Sequence, residues 1–210
     1  MKISEQYVSG LKKAYLDNNA GESWAHFESV KHGATNENLK KIKNICKFVP
    51  DSLLDLLEYA DGTYYRKYQG EKITLLYFLG SDVDDYEYPY YLLSAEQILE
   101  ESELGLEHKY GLYDFLHWVK ENGCFELYDD KLTSKPKKAK WLCFSHCMNN
   151  GGTSTLYIDF TPSKKGKMGQ VVRFLHDPDQ YKVIADSFDE YLQMLMDNGY
   201  GFINELTMDD

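Results

Sequence analysis

From Trp141 onward the chain changes rhythm. WLCFSHC, TLYIDF, GQVVRFL and YKVIA are short β-prone segments separated by turn residues at hairpin distances. Directly after them comes DSFDEYLQMLMDNG. There Ser187 and Glu190 have the spacing of a capping box, Phe188, Tyr191, Leu192 and Leu195 fall on one helical face, and Gly199 suits the stop. A strand meander closed by an amphipathic helix admits few architectures, because its apolar surfaces must be covered by other elements of the same chain.

The first half supplies the cover. Ile3, Tyr7, Leu11 and Ala14 recur at helical spacing, and Trp24 and Phe27 are placed to staple this arm to a core. Thr35 is a candidate cap for a helix carrying Leu39, Ile42 and Ile45. In VPDSLLDLLEYADG, Pro50 fits a first helical position, Leu53, Leu54 and Leu57 form the buried stripe, and Gly62 suits a left-handed stop. KITLLYFLG reads as one strand, and SAEQILEE opens a helix through a Ser94/Gln97 capping box. A further helix carrying Leu112, Phe115, Leu116 and Val119 ends before Gly123, and the charged segment from there to about residue 139 reads as an exposed connection. The expected fold is α+β: a single domain with a central, mostly antiparallel sheet flanked by helices. Residues 1–32 read as a helical extension packed on the core, 33–203 as the domain with an insertion near 104–139, and 204–210 as an acidic tail.

With 210 residues, 43% of them hydrophobic, one generous domain is available and a second hardly so. Lys and Arg number 23 against 34 Asp and Glu, a formal net charge of −11 that argues against nucleic acid and anionic membranes and favours a basic protein partner. No apolar run approaches the roughly 18–20 residues of a membrane span, and the start, MKISEQYVSG, lacks the apolar core of a signal peptide. The expected location is cytoplasmic, with Cys46, Cys124, Cys143 and Cys147 as free thiols.

The stretch NNGGTSTLYIDFTPSKKGKMGQVV invites a phosphate-loop reading. A loop of the G-x-x-x-x-G-K-[ST] kind needs a hydroxyl after the lysine and a helix behind it. Here Gly166-Lys167 is followed by Met168, residue 161 is threonine, and strand-like residues lie on both sides, so a hairpin is the better reading. Asp159 then becomes a turn-fixing side chain. In a regular strand Cys143 and Cys147 share a face but stand ~13 Å apart, too far for one zinc ion, so no metal site is expected around Cys143, His146 and Cys147. Pairing Cys124 or Cys147 with His117 or His146 as nucleophile and base has no local support, G-x-S-x-G is missing, and GSDVDDYEYPYY departs from a calcium loop at Glu87 and Leu93. No catalytic residue and no cofactor is expected.

What survives is a binding surface. Asp82, Asp84, Asp85 and Glu87 with Tyr86, Tyr88, Tyr90 and Tyr91 combine carboxylates that receive Lys or Arg with rigid aromatic contact area. Glu96, Glu100, Glu101, Glu103 and Glu107 extend the negative charge, although such runs are commonly solvated surface.

The order of these segments resembles the SUKH superfamily, in its Smi/Knr branch of cell-wall assembly regulator-like proteins. The pieces are GATNENLKKIKN with FVPDSLLDLLEYADG, then YFLGSDVDDYEYPYYLLSAEQILEE, then KWLCFSHCMNNGGTSTLYIDFTPSKKGKMGQVVRF, and finally VIADSFDEYLQMLMDNG, together spanning roughly residues 33–200. Asn149-Asn150 stands where the family usually has an acidic residue beside the paired glycine, and CKF where it has Leu-Gly. The resemblance implies one α+β domain without catalytic residues. It also implies a protein partner: many bacterial relatives look like immunity proteins that neutralise polymorphic toxins by direct binding. The alternative it implies is a regulator or scaffold in cell-wall or envelope synthesis signalling. No oligomeric state follows from either.

Overall fold

Helices form where apolar residues keep a 3.6-residue period and a polar side chain can close the first turn. In the computed structural model, which describes residues 1–68, 71–73, 76–83, 86–149, 152–204 and 207, they are α1 (Ile3–Asp17), α2 (Gly21–Val30), α3 (Asn36–Ile45) and α4 (Asp51–Tyr59). β1 (Arg66–Tyr68) and β2 (Glu71–Ile73) make a separate antiparallel ribbon. The main sheet begins with β3 (Leu79–Val83) and β4 (Tyr86–Leu92), is interrupted by α5 (Ala95–Tyr110) and α6 (Leu112–Asn122), and resumes with β5 (Trp141–Asn149), β6 (Gly152–Asp159), β7 (Gln170–Leu175) and β8 (Gln180–Ala185). α7 (Phe188–Asp197) closes the meander. β3 to β8 lie side by side in chain order and every neighbouring pair is antiparallel, so the expected α+β fold is what the chain adopts.

Both faces of the sheet are covered. Phe144 of β5 meets Phe188 and Tyr191 of α7, at ring centroid distances of 5.2 and 6.0 Å. Its neighbour Cys143 points the other way, toward Glu101 of α5, because successive strand side chains alternate. All of β7 is buried, its polar Gln170 and Arg173 included, so QVVRFL shows no apolar–polar alternation.

The tyrosine surplus is largely structural. Tyr7, Tyr15, Tyr68, Tyr90, Tyr157, Tyr181 and Tyr191 are among the largest fully buried side chains. Tyr7 donates to the Phe78 carbonyl (2.7 Å), Tyr15 to Tyr77 (2.8 Å) and Tyr191 to Gly80 (2.7 Å), all on or just before the edge strand β3. The Tyr191 hydroxyl thus serves a backbone carbonyl of the outermost strand. Burial pushes the phenols of Tyr7, Tyr15 and Tyr191 well above their usual range, which keeps them neutral and donating.

Several local expectations change. KITLLYFLG is two strands of different sheets: β2 ends at Ile73, β3 begins at Leu79, and the Tyr77 and Phe78 carbonyls between them accept from tyrosine hydroxyls. Ile45 is 40% exposed at the last position of α3, Leu56 is buried where Leu54 is only partly so, and Pro50 precedes α4 instead of opening it. The segment after Gly123 is not simply exposed. Leu132 is 2% exposed, the Asp129 amide donates to Tyr181 (3.0 Å), and its carboxylate accepts from the Val183 amide (3.1 Å). An open edge at β8 would leave such groups unpaired, so the connection is recruited as cover.

Candidate partner-binding surface

The β3–β4 hairpin separates the expected contact residues by depth. In register, Asp82 lies opposite Glu87, Ser81 opposite Tyr88 and Leu79 opposite Tyr90, while Asp84 and Asp85 lie outside the described residues. Val83 lies opposite Tyr86. Tyr88 is 38% exposed, and half-buried Glu87 accepts a bond from Asn198 Nδ2 (3.0 Å) that ties the hairpin to the end of α7. Tyr90 is fully buried and Tyr91 nearly so, with Tyr91 packed against Tyr64 and Tyr77. These two tyrosines are core, so the expected surface ends short of them.

A second acidic feature is helical. On α5, Glu96, Glu100 and Glu103 stand at i, i+4 and i+7 and all are exposed, so their carboxylates share one stripe. The start of this helix is pinned. Ser94 and Gln97 exchange the expected capping bonds (3.2 and 2.8 Å). In addition the Ala95 amide donates to buried Asp61 (2.8 Å), whose other oxygen accepts from Arg66 (2.9 Å). Gly62 has φ +80°, and a Cβ there would lie 2.4 Å from the Ser94 amide nitrogen. Asp61-Gly62 is therefore a lock between the end of α4 and the start of α5. Sequence reasoning found the glycine but missed the aspartate, since a cap supplied from 34 residues away leaves no local pattern.

Glu101 does not join the stripe. It turns inward, where Glu101 Oε1 stands 3.6 Å from His146 Nε2, and its oxygen, Cys143 Sγ and a ring nitrogen of His146 lie within 4.8 Å of one another. A β-bulge makes this meeting. Cys143 pairs with Tyr157 and Ser145 with Leu156, so Phe144 is an extra residue on β5. His146 then pairs with Thr155, two residues from Tyr157 and on the same face, whereas Cys147 pairs with Ser154 and faces the opposite side. The expectation that Cys143 and Cys147 share a face is overturned by that one residue.

Burial pushes the Cys147 thiol up to about 12, the opposite of what a nucleophile requires. The hairpin reading of the β6–β7 turn holds. Asp159 accepts from the Thr161 amide (2.7 Å) and from Gln170 Nε2 (2.9 Å), while Gln170 accepts from the Lys167 amide (3.0 Å). Burial raises the Asp159 carboxyl, and these bonds act against that rise. A groove of about 1170 Å³ opens between α6, the connection after it and the β6–β7 turn. Phe125, 64% exposed, lies on its wall with Lys135, Lys164 and Lys182 as well as Asp129 and Asp130. Its mixed charge sets it apart from the α5 stripe.

Among the described residues no helix is long and apolar enough to cross a membrane. No curated protein matches the chain. Residues 33–194 match the model of the SMI1 / KNR4 family (SUKH-1), a span that begins between α2 and α3 and ends inside α7. That match supports a non-catalytic, protein-binding role. It takes in the Asp61-Gly62 lock, the β3–β4 hairpin, the α5 stripe and the bulged strand, and it covers most of the chain: the protein belongs to the SMI1 / KNR4 family (SUKH-1).

Proposed function

We propose that this protein is an immunity protein, a cytoplasmic binding module that neutralises a polymorphic toxin by covering a basic domain of it. The observation that carries this reading is the exposed stripe of Glu96, Glu100 and Glu103 on a helix whose start is locked in place, in a chain of net charge −11. A rigid acidic face steers a basic partner and selects against acidic ones. The β3–β4 hairpin adds Asp82, Asp84, Asp85, Tyr86, Glu87 and Tyr88 as the second half of the surface. Free thiols at all four cysteines fit a reducing compartment. Residues 33–203 form the binding domain in this reading, with 1–32 as an extension braced on it, the insertion at 104–139 and an acidic tail at 204–210.

The test is co-purification with the product of the neighbouring gene, followed by titration at rising salt. The E96K/E100K/E103K variant should slow association ~10–100-fold, and D84K/D85K should slow it further. Affinity that ignores both reversals and salt would remove this surface from consideration. A genomic neighbourhood of envelope-synthesis genes with no toxin would favour the regulator or scaffold reading instead.

A further inference from the structure

The three side chains that meet beneath α5 come from two elements and carry three ligand chemistries. Glu101 is supplied by α5, and Cys143 and His146 by β5 across the bulge. Cys143 is 4% and His146 6% exposed, and the Glu101 side chain is 13% exposed. Glu101 Oε1 stands 3.6 Å from His146 Nε2, and the carboxylate oxygen, Cys143 Sγ and a ring nitrogen of His146 all lie within 4.8 Å of one another. Neighbouring ligands on a tetrahedral zinc ion stand about 3.3–3.6 Å apart, as follows from the usual metal–ligand lengths, so small side-chain shifts would bring the three onto one ion.

We propose that Glu101, Cys143 and His146 form a binding site for a divalent zinc-type cation. A thiolate, a carboxylate and a neutral imidazole together balance two positive charges, so the loaded site is neutral in a buried setting. Mixed S, N and O donors suit Zn²⁺ above Mg²⁺ or Ca²⁺, which prefer oxygen alone. A cavity of about 280 Å³ borders Glu101 and Cys143 and also carries Cys46 on its wall, leaving room for a fourth ligand. Binding displaces the Cys143 thiol proton to solvent and leaves the metal as a tie between α5 and the sheet. The inference stands apart from the proposed function, since none of the three residues belongs to the exposed acidic stripe.

The experiment is titration of the full chain, reduced with a non-chelating phosphine, with Co²⁺ and then Zn²⁺. One Co²⁺ per chain should bind, with a thiolate-to-cobalt absorption band and the visible bands of tetrahedral cobalt, and Zn²⁺ should displace it. Cys143→Ser should abolish the thiolate band and weaken binding by at least about 10-fold. His146→Gln and Glu101→Gln should each weaken binding to a similar extent, while Cys147→Ser, on the opposite face, should leave band and affinity intact. Circular dichroism identifies any variant that fails to fold, and the unaltered chain and Cys147→Ser test the site regardless. No thiolate band in the unaltered chain would overturn the proposal, as would a band lost with Cys147→Ser but kept with Cys143→Ser.

Discussion

The two faces of the central sheet are built on different principles. On the α7 face, Phe144 sits edge-on to Phe188 and the Tyr191 hydroxyl donates to the Gly80 carbonyl of the edge strand. On the α5 face, one residue along the helix from exposed Glu100, a carboxylate, a thiol and an imidazole share the interior. Apolar packing with satisfied hydroxyls stabilises without offering chemistry. Ionisable groups under a helix contribute less to stability and leave something for a ligand to do. The comparison therefore assigns stability to the α7 face and leaves the α5 side to the recognition role proposed above.

The strongest attempt to break it is Phe188→Ala, which should cost about 3–5 kcal/mol in denaturant unfolding by opening a cavity against Phe144 and Tyr191. A comparable loss from any of the α5 glutamates would refute the division. Asp61→Ala, at the lock that holds α5, should cost about 2–3 kcal/mol, since it strands both the Ala95 amide and Arg66. Tyr191→Phe keeps the ring and deletes the donor to Gly80, so about 1–2 kcal/mol is expected, read as a lowered Tm. At the small end, Glu96→Lys, Glu100→Lys and Glu103→Lys should each move stability by less than about 0.5 kcal/mol while changing partner association, which sharpens the contrast.

A pH measurement separates the Asp159 clamp from both faces. Burial holds this carboxyl above its unfolded value, so the folded chain keeps the proton longer than the unfolded one. The stability gained that way is full below the unfolded pKa and lost as pH rises through the folded one. Asp159→Asn should therefore flatten the fall of Tm across that interval; an unchanged slope would show that the hydrogen bonds from Thr161 and Gln170 outweigh burial.

Much of this architecture was legible in advance because it is written locally. The Ser94/Gln97 box, the Thr35 cap and the strand meander depend on residues a few positions apart, and each appears where expected. The Ser187 box is half altered: Ser187 accepts from the Glu190 amide, but Glu190 returns its bond to Asp186. The proposed binding surface was legible only as composition. Sequence marked its carboxylates and tyrosines, yet alternation along β4 does not say that Tyr88 is exposed and Tyr90 buried, since both point to the same side and only the surrounding helices distinguish them.

By itself, then, the sequence determined the α+β class, the order of the elements and the acidic character of the surface, since period, capping and net charge are properties of short segments or of the sum. The tertiary structure alone decided that α5 is capped by Asp61, that the connection after Gly123 shields β8, and that tyrosine hydroxyls close the edge at β3. It also decided that Phe144 is an extra residue, which turns Cys143 and His146 to one face and Cys147 to the other. Each of these depends on which strand or helix lies opposite, a relation set by packing between segments distant in the chain.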